Sequence, residues 1–449
     1  MSERGALWRI LGFRLGDDKG GLLPDEAPGF GKLVLFALQQ FIVMFPATVL
    51  VAILTGFHVS TTIFASGLAT LSFILVTGGK IPLCYGSSFS YIAAIVSLTG
   101  ARQYGSIAPD ALISQAQFGI ILSGLVSILA GILIQRFGKD KMDAILPPEV
   151  TGPVAIIIGL SLAGTAMGEA AQNWPIALVT LGVTIAASIF LKGFAAQLPV
   201  LIGIGAGYLA SLAAGIVDFS PVAQAAMVEA PHFTLPTVSW AAVAAIMPIA
   251  IATIPESTAH LYQIDLYVNK LSEKRGGKKY EISNKLGLNL IGDGLGDMVS
   301  ALFGGPAGTN YGENISTMAI TKVFSVPVLI ATALLAIVVS FFGKFSAAVN
   351  TIPAAVVGGL SVYLFGVIAV QGVSLMAERK VDLFDNRKLA IIATILVIGI
   401  GGSFAFEGGM IPVFGAKIPA IATAAIWGIL LNLLLRAGSR KSAKAAAAD

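Results

Sequence analysis

The chain has 449 residues, of which 56% are hydrophobic and 12% charged, with a formal net charge of +4. Soluble domains average roughly 25% charged residues, so water is excluded as the main solvent. The basic residues sit in short stretches between apolar runs and do not make a nucleic-acid surface. Cys84 is the only cysteine, which excludes an intramolecular disulfide and thiolate metal clusters.

Residues 1–31 hold Arg4, Arg9, Arg14, Asp17, Asp18 and Lys19 but no apolar run long enough for a cleaved leader, so they read as a cytoplasmic segment. From Lys32 to Arg436 apolar runs follow almost without a break. Bounded by Gly, Pro or charges, they divide into about fourteen segments, most near the ~20 residues that cross ~30 Å of hydrocarbon as helix. The segments fall near 32–56, 60–78, 82–97, 111–135, 150–167, 174–191, 198–216, 239–263, 286–303, 306–320, 324–343, 352–375, 388–405 and 415–435. The fold expected is an all-α polytopic protein of the cell membrane, inner or plasma.

Loop charges test this count. With a cytoplasmic N-terminus, the inside loops receive Lys80, Arg136, Lys139, Lys141, Lys192, the cluster Lys270 to Lys285, Lys322, Arg379, Lys380, Arg387, Lys388 and the basic tail. Only Arg102, Lys344 and Lys417 fall outside, a bias that supports an even number of spans and cytoplasmic termini.

The chain echoes itself. Phe137-Gly138-Lys139 is followed by Leu146-Pro147, Val150 and Gly152; about 205 residues later Phe342-Gly343-Lys344 is followed by Ile352-Pro353, Val356 and Gly358. Seven segments separate the copies, and an odd number inverts one half relative to the other. PLCYGSSF (Pro82 to Phe89) and PAGTNYGE (Pro306 to Glu313) occupy the third and tenth segments with equal spacing. Both are too rich in Gly, Pro and hydroxyl residues for a plain helix. Matched, broken segments expose backbone groups at membrane depth, which is tolerable where they line a cavity or hold a ligand.

An ionisable side chain inside a span costs roughly a few kcal/mol and calls for a partner, a wet cavity or a function. Glu256 lies deep in the eighth segment and Glu313 follows the Gly-rich stretch of the tenth, and these two are the expected substrate-binding groups. His260 is four residues after Glu256, on the same helix face, and is a candidate proton carrier. Asp293 and Asp297, near the inner end of the ninth segment, either cap and solvate that end or coordinate a cation, the structural role being favoured. Met44, Met247, Met298 and Met318 read as packing. His58 and His232 fall in outside loops and carry no functional expectation. HExxH, a Walker A lysine, a GxGxxG in a βαβ setting and a zinc set are all absent, and GSSF at Gly86 lacks the context of a nucleophile elbow, so neither an enzyme, a metal site nor a cofactor is expected.

LQQFIVMFPATVLV (Leu38 to Val51), GGKIPLCYGSSFSYIA (Gly78 to Ala93), IPEST-x-H (Ile254 to His260), TNYGENISTMAITK (Thr309 to Lys322) and ERKVD (Glu378 to Asp382) resemble, in order, the uracil-permease branch of the nucleobase–ascorbate transporter family. The resemblance covers about residues 30–435. Asparagine after Glu313 is similar to the uracil-permease form, whereas purine-selecting members more often have glutamine there. The resemblance implies a seven-plus-seven inverted repeat with strand-like third and tenth segments. It divides the chain into a core domain (32–135 and 239–343), a gate domain (136–238 and 344–435) and a cytoplasmic basic tail (436–449). It implies that Glu256 and Glu313 bind the nucleobase, that main-chain groups of Phe89 and Gly312 complete the contacts, that Tyr311 lines the pocket, and that His260 and Glu256 take part in proton coupling. Sodium is the alternative coupling ion, and a homodimer through the gate spans is compatible with the family.

Three positions depart from the pattern. Gln40 stands where the family usually has histidine, Pro46 where it has glycine, and Ser316 where the signature has glycine; Gln40 bears on a core hydrogen bond and Ser316 on a helix contact beside the site. The expected function is import of a nucleobase, uracil first, by proton symport. Purine, xanthine or ascorbate carriage, anion exchange on the same architecture, and a channel are the alternatives.

Overall fold

The computed structural model describes residues 12–16, 20–100, 107–138, 145–193, 195–413 and 416–446. Helix α1 (Phe30–Thr55) turns at Gly56, whose left-handed φ of 77° closes the helix, into α2 (Val59–Val76). The third segment then breaks as its composition requires: strand β1 (Tyr85–Ser87), a 3-10 turn at Phe89–Tyr91, and a short α3 (Ile92–Thr99). Helix α4 (Asp110–Phe137) completes the first group. Segment five is α5 (Pro148–Ser161) running on into α6 (Ala163–Ala170), followed by α7 (Trp174–Phe190) and α8 (Pro199–Ala213).

The second half follows the same plan. A short α9 (Trp240–Ile246) leads into α10 (Ile249–Lys274), which carries Glu256 and His260; α11 (Leu286–Leu302) follows. The tenth segment is strand β2 (Gly308–Asn310) and α12 (Gly312–Thr321). Helix α13 (Val326–Ser340) bends by 83° into α14 (Gly343–Asn350), and α15 (Ala354–Glu378), α16 (Asn386–Leu396) and α17 (Ala420–Ala446) close the chain. The apolar pattern predicts no span over 344–351; these residues form α14, laid across the end of α13.

Among the described residues, eight helical stretches are long and apolar enough to cross a membrane by themselves, or nine with the bent pair. The remaining segments are the broken third and tenth, the shorter α7 and α8, and the 17-residue α11, which brings the total to about fourteen.

Packing reveals the inverted repeat more directly than sequence does. If segment n corresponds to n+7, the pair of segments four and nine must be mirrored by eleven and two. Indeed α4 packs along α11 and α13 along α2, both extensively. Likewise α15 on α7 (twelve on six) is mirrored by α16 on α5 (thirteen on five), while α15 on α5 and β1 on β2 map onto themselves. The α4–α11 contact is close enough that a Cβ on Gly124 would lie 2.4 Å from the Gly294 carbonyl, and one on Gly294 2.2 Å from that of Gly124. Such backbone approach is how membrane helices gain packing without a hydrophobic drive between them.

The N-terminal stretch is more than an appendage. Leu22 is fully buried, its N–H donates to the Lys322 carbonyl (2.7 Å), and its carbonyl accepts from Phe324 N–H (2.8 Å). Glu26 forms a two-pronged ion pair with Arg275 at 2.7 and 3.0 Å, and Tyr280 donates to Asp25 at 2.5 Å. Residues 20–27 thus tie the loop after α10 to the turn after α12.

A candidate substrate site at the strand crossing

Two extended segments at membrane depth satisfy one another's backbone. β1 and β2 pair antiparallel with Tyr85 opposite Asn310, Gly86 opposite Thr309 and Ser87 opposite Gly308. Flanking bonds extend the ladder: Tyr311 N–H to Cys84 O at 3.0 Å and Ser88 N–H to Ala307 O at 2.9 Å. An unpaired strand there would leave polar groups without water, so neither broken segment is stable alone. Glycine is required at position 86, where a Cβ would stand 2.4 Å from ring carbons of Tyr311.

A buried polar stripe on α11 holds this crossing. Asp297 Oδ1 accepts from Tyr85 OH at 2.5 Å and from Gly308 N–H at 2.7 Å, fastening both strands. Asp293 accepts from Asn310 Nδ2 at 2.7 Å and from the Ser257 hydroxyl, and Ser257 accepts from Asn289 Nδ2 at 2.6 Å. The two aspartates lie mid-helix, level with the strands, and not near an inner end; neither caps α11. Both Asp293 oxygens, and the Asp297 oxygen that faces the strands, are occupied by protein donors, which favours the structural role. Asn289, Asp293 and Asp297 recur every four residues on an otherwise apolar helix. That spacing is the signal of the network in the sequence, where the charge of Asp293 and Asp297 marks only its last two members.

Helices lead away from the crossing in both halves, and the expected site residues cluster where they begin. Ser88 caps the first of these, accepting from Ser90 N–H, and Ser90 Oγ donates to Glu256 Oε2 at 3.2 Å, joining α10 to the third segment. Glu313 lies in the first turn of α12, whose N-cap position, Tyr311, contributes no side-chain cap. Its N-terminal N–H groups are thus oriented for an acceptor. The Glu313 side chain is not covered by neighbouring helices, while Asn314 and Ile315 take the packed face of α12. Gly312 lies against His260: a Cβ there would be 3.0 Å from Nε2. His260 Nδ1 is buried without a hydrogen-bond partner among the described residues.

The other expected residues divide. Phe89 begins the 3-10 turn and packs edge-on against Phe365 of α15, with ring centroids 6.1 Å apart. Tyr311 is only 3% exposed; its hydroxyl donates to Ser87 O at 3.0 Å and lies 3.0 Å from Thr48 Oγ1, so it braces the crossing. Gln40 is buried and accepts from Asn314 Nδ2 through both its main-chain and side-chain oxygens, at 3.0 and 2.7 Å. Ser316 is half-buried on α12. Beside the first half-helix, a cavity of about 560 Å³ opens between Ile53, Leu54, Ile92 and Val96 on one side and Leu162 and Glu169 on the other.

Inverted repeats, paired broken segments and carboxylates at their meeting point define an integral, multi-pass membrane transporter. The family model described as "Permease family" matches residues 31–408, so the chain belongs to that family, the nucleobase–ascorbate transporters. It is 39% identical over 427 residues to the uracil permease of Bacillus caldolyticus, covering 92% of this chain and 94% of that protein. It is also 35% identical over 432 residues to the putative pyrimidine permease RutG of Escherichia coli (strain K12), covering 93% and 92%. Among solved structures it is similar to murine Slc26a9, an anion transporter in the inward-facing state, at TM-score 0.65 and 12% identity over 91% of this chain and 69% of that one. The transmembrane domain of the cyanobacterial bicarbonate transporter BicA aligns at TM-score 0.53 and 14% identity, over 89% and 96%. At these identities the likeness is one of fold.

Proposed function

We propose that this protein carries a nucleobase, uracil in the first place, across the cell membrane by alternating access, with protons as the coupling ion. The observation that carries the reading is the convergence of Glu256, Glu313 and an uncapped helix N-terminus on one strand crossing. Uracil is a flat, uncharged ring with two N–H donors and two carbonyl acceptors. Carboxylates accept from the donors, and the Gly312 N–H at the start of α12 serves a carbonyl. The Phe89 ring supplies an apolar face. The relatives named as uracil and pyrimidine permeases support this substrate class.

In this reading segments 1–4 and 8–11 form the core that holds the ligand, and segments 5–7 and 12–14 form the gate against which it rocks, with both termini cytoplasmic. His260 is the proton-coupling group, with Glu256 as its partner one helical turn away. Substrate and proton then bind with positive linkage, which is symport. The likeness to anion carriers does not extend to substrate, because two carboxylates at the site repel an anion.

The site is tested by substrate-induced thermal stabilisation of purified protein. Glu256→Gln and Glu313→Gln are expected to weaken uracil binding by roughly 100-fold, the loss of one or two charge-assisted hydrogen bonds, while the unliganded protein melts as before. Full binding by both variants would overturn the assignment. Competition with xanthine and ascorbate separates the substrate alternatives. Coupling is tested separately: in proteoliposomes an imposed pH gradient should drive accumulation and a sodium gradient should not.

A further inference from the structure

Two of the chain's three histidines meet far from the strand crossing, on the face that the charge distribution places outside. His58 occupies the N-cap position of α2, Asp110 opens α4, and His232 lies in the extended stretch leading to α9. Asp110 Oδ2 is 2.8 Å from His232 Nε2, Asp110 Oδ1 is 3.6 Å from His58 Nε2, and the imidazole centroids are 4.3 Å apart. One ligand atom from each residue can be chosen so that all three lie within 4.8 Å of one another. His58 Nε2 is buried and makes no hydrogen bond among the described residues, an orphaned nitrogen aimed at the cluster.

The cluster is held in place from behind. Thr61 Oγ1 donates to the His232 carbonyl at 2.7 Å. Two residues on, Thr234 and Gln117 exchange hydrogen bonds: Gln117 Nε2 donates to Thr234 O and Thr234 Oγ1 donates to Gln117 Oε1, each at 2.8 Å. The segment bearing His232 is therefore strapped across α2 and α4, with its ring delivered to Asp110. The Asp110 and His232 side chains are 56% and 52% exposed, so an ion reaches them from water.

We propose that His58, Asp110 and His232 form a binding site for a divalent transition-metal ion of the zinc type. Two imidazole nitrogens and one carboxylate oxygen are a set that zinc takes readily, with water as the fourth ligand. Calcium and magnesium, which favour oxygen donors, are poorly served. Ligand atoms around a tetrahedral zinc lie about 3.3 Å apart. His58 faces Asp110 Oδ1 at 3.6 Å and His232 faces Oδ2 at 2.8 Å, so the carboxylate turns to offer one oxygen to the metal as the His232–Asp110 hydrogen bond gives way to it, and the three ligand atoms draw in from their present spread of up to 4.8 Å. The ion would pin the linker between α8 and α9, which joins the two packed helix groups, onto one of them.

The test uses tag-free, full-length protein in detergent, titrated with Zn²⁺ against a chelating dye. One Zn²⁺ per chain with micromolar or tighter affinity is expected, weakened at least 10-fold by His232→Ala and by Asp110→Asn. Co²⁺ substituted at the site should give visible absorption of a tetrahedral centre, lost in His232→Ala. Both substituted side chains are exposed, and an unchanged melting temperature without metal confirms the variants' fold. Unaltered zinc affinity in both variants, equal competition by Mg²⁺, or absence of binding at 100 µM Zn²⁺ would each overturn the proposal.

Discussion

The third and tenth segments are the same device built twice with different parts. Each runs from a proline through a short strand into a half-helix, and the strands pair with each other. The first copy is electrically neutral and its half-helix is closed by the Ser88 hydroxyl. The second carries Glu313 and leaves its helix N-terminus open. Pseudo-symmetry thus supplies the architecture, and departure from it supplies the chemistry. In the proposed reading, the first copy serves as the wall against which the second presents its charge and the start of α12.

Substitutions in the two copies should therefore fail differently. The largest effect is expected from Gly86→Ala in the neutral copy. Its Cβ would overlap the Tyr311 ring, forcing out the brace between both strands and α1, at a cost of about 3 kcal/mol or more. Thermal unfolding in detergent should show a strongly lowered midpoint and little protein in the membrane. Normal stability would mean that the crossing is not rigid. Asp297→Asn comes next. It weakens the acceptor shared by Tyr85 and Gly308, one from each copy, and is expected to cost about 1–3 kcal/mol of stability. A stable Asp297→Asn protein that loses ion dependence of transport would instead restore the cation reading of this residue. Ser90→Ala should be milder and specific to the ligand: losing the donor to Glu256 should weaken uracil affinity about fivefold, near 1 kcal/mol, with the melting temperature of free protein unchanged.

Much of this plan was legible from residue order. Proline, glycine and charge punctuate the apolar runs, so segment limits and the two breaks follow from local chemistry. The Leu146-Pro147 and Ile352-Pro353 echoes do become matching helix starts, with Pro147 and Pro353 both at N-cap positions. What failed was pairing across distance. Asp293 and Asp297 looked like the end of a helix because nothing local says that strands from two halves pass beside them. The resemblance places Tyr311 along the pocket but says nothing of its hydroxyl, which is turned to Ser87 and Thr48. His58 and His232 looked like ordinary loop residues, and nothing in the sequence singles out Asp110. Only the folded chain brings the three together.

The finest distinction between the copies rests on Gln40, the position where the resembling pattern usually carries histidine. Gln40 sits on α1, and both its carbonyl oxygens take the Asn314 amide, one residue beyond Glu313. It therefore positions the charged copy from behind. A neutral histidine still offers one ring nitrogen as acceptor, and the backbone carbonyl remains in any case. Gln40→His should consequently change uracil affinity by less than about threefold, under 1 kcal/mol, and leave the preference for uracil over xanthine intact. Measured by competition binding, a larger change confined to affinity would mean that the Asn314 contact sets the tilt of Glu313. A reversal of preference would mean that Gln40 reads the substrate itself, and that the first half contributes to recognition as well as to the wall.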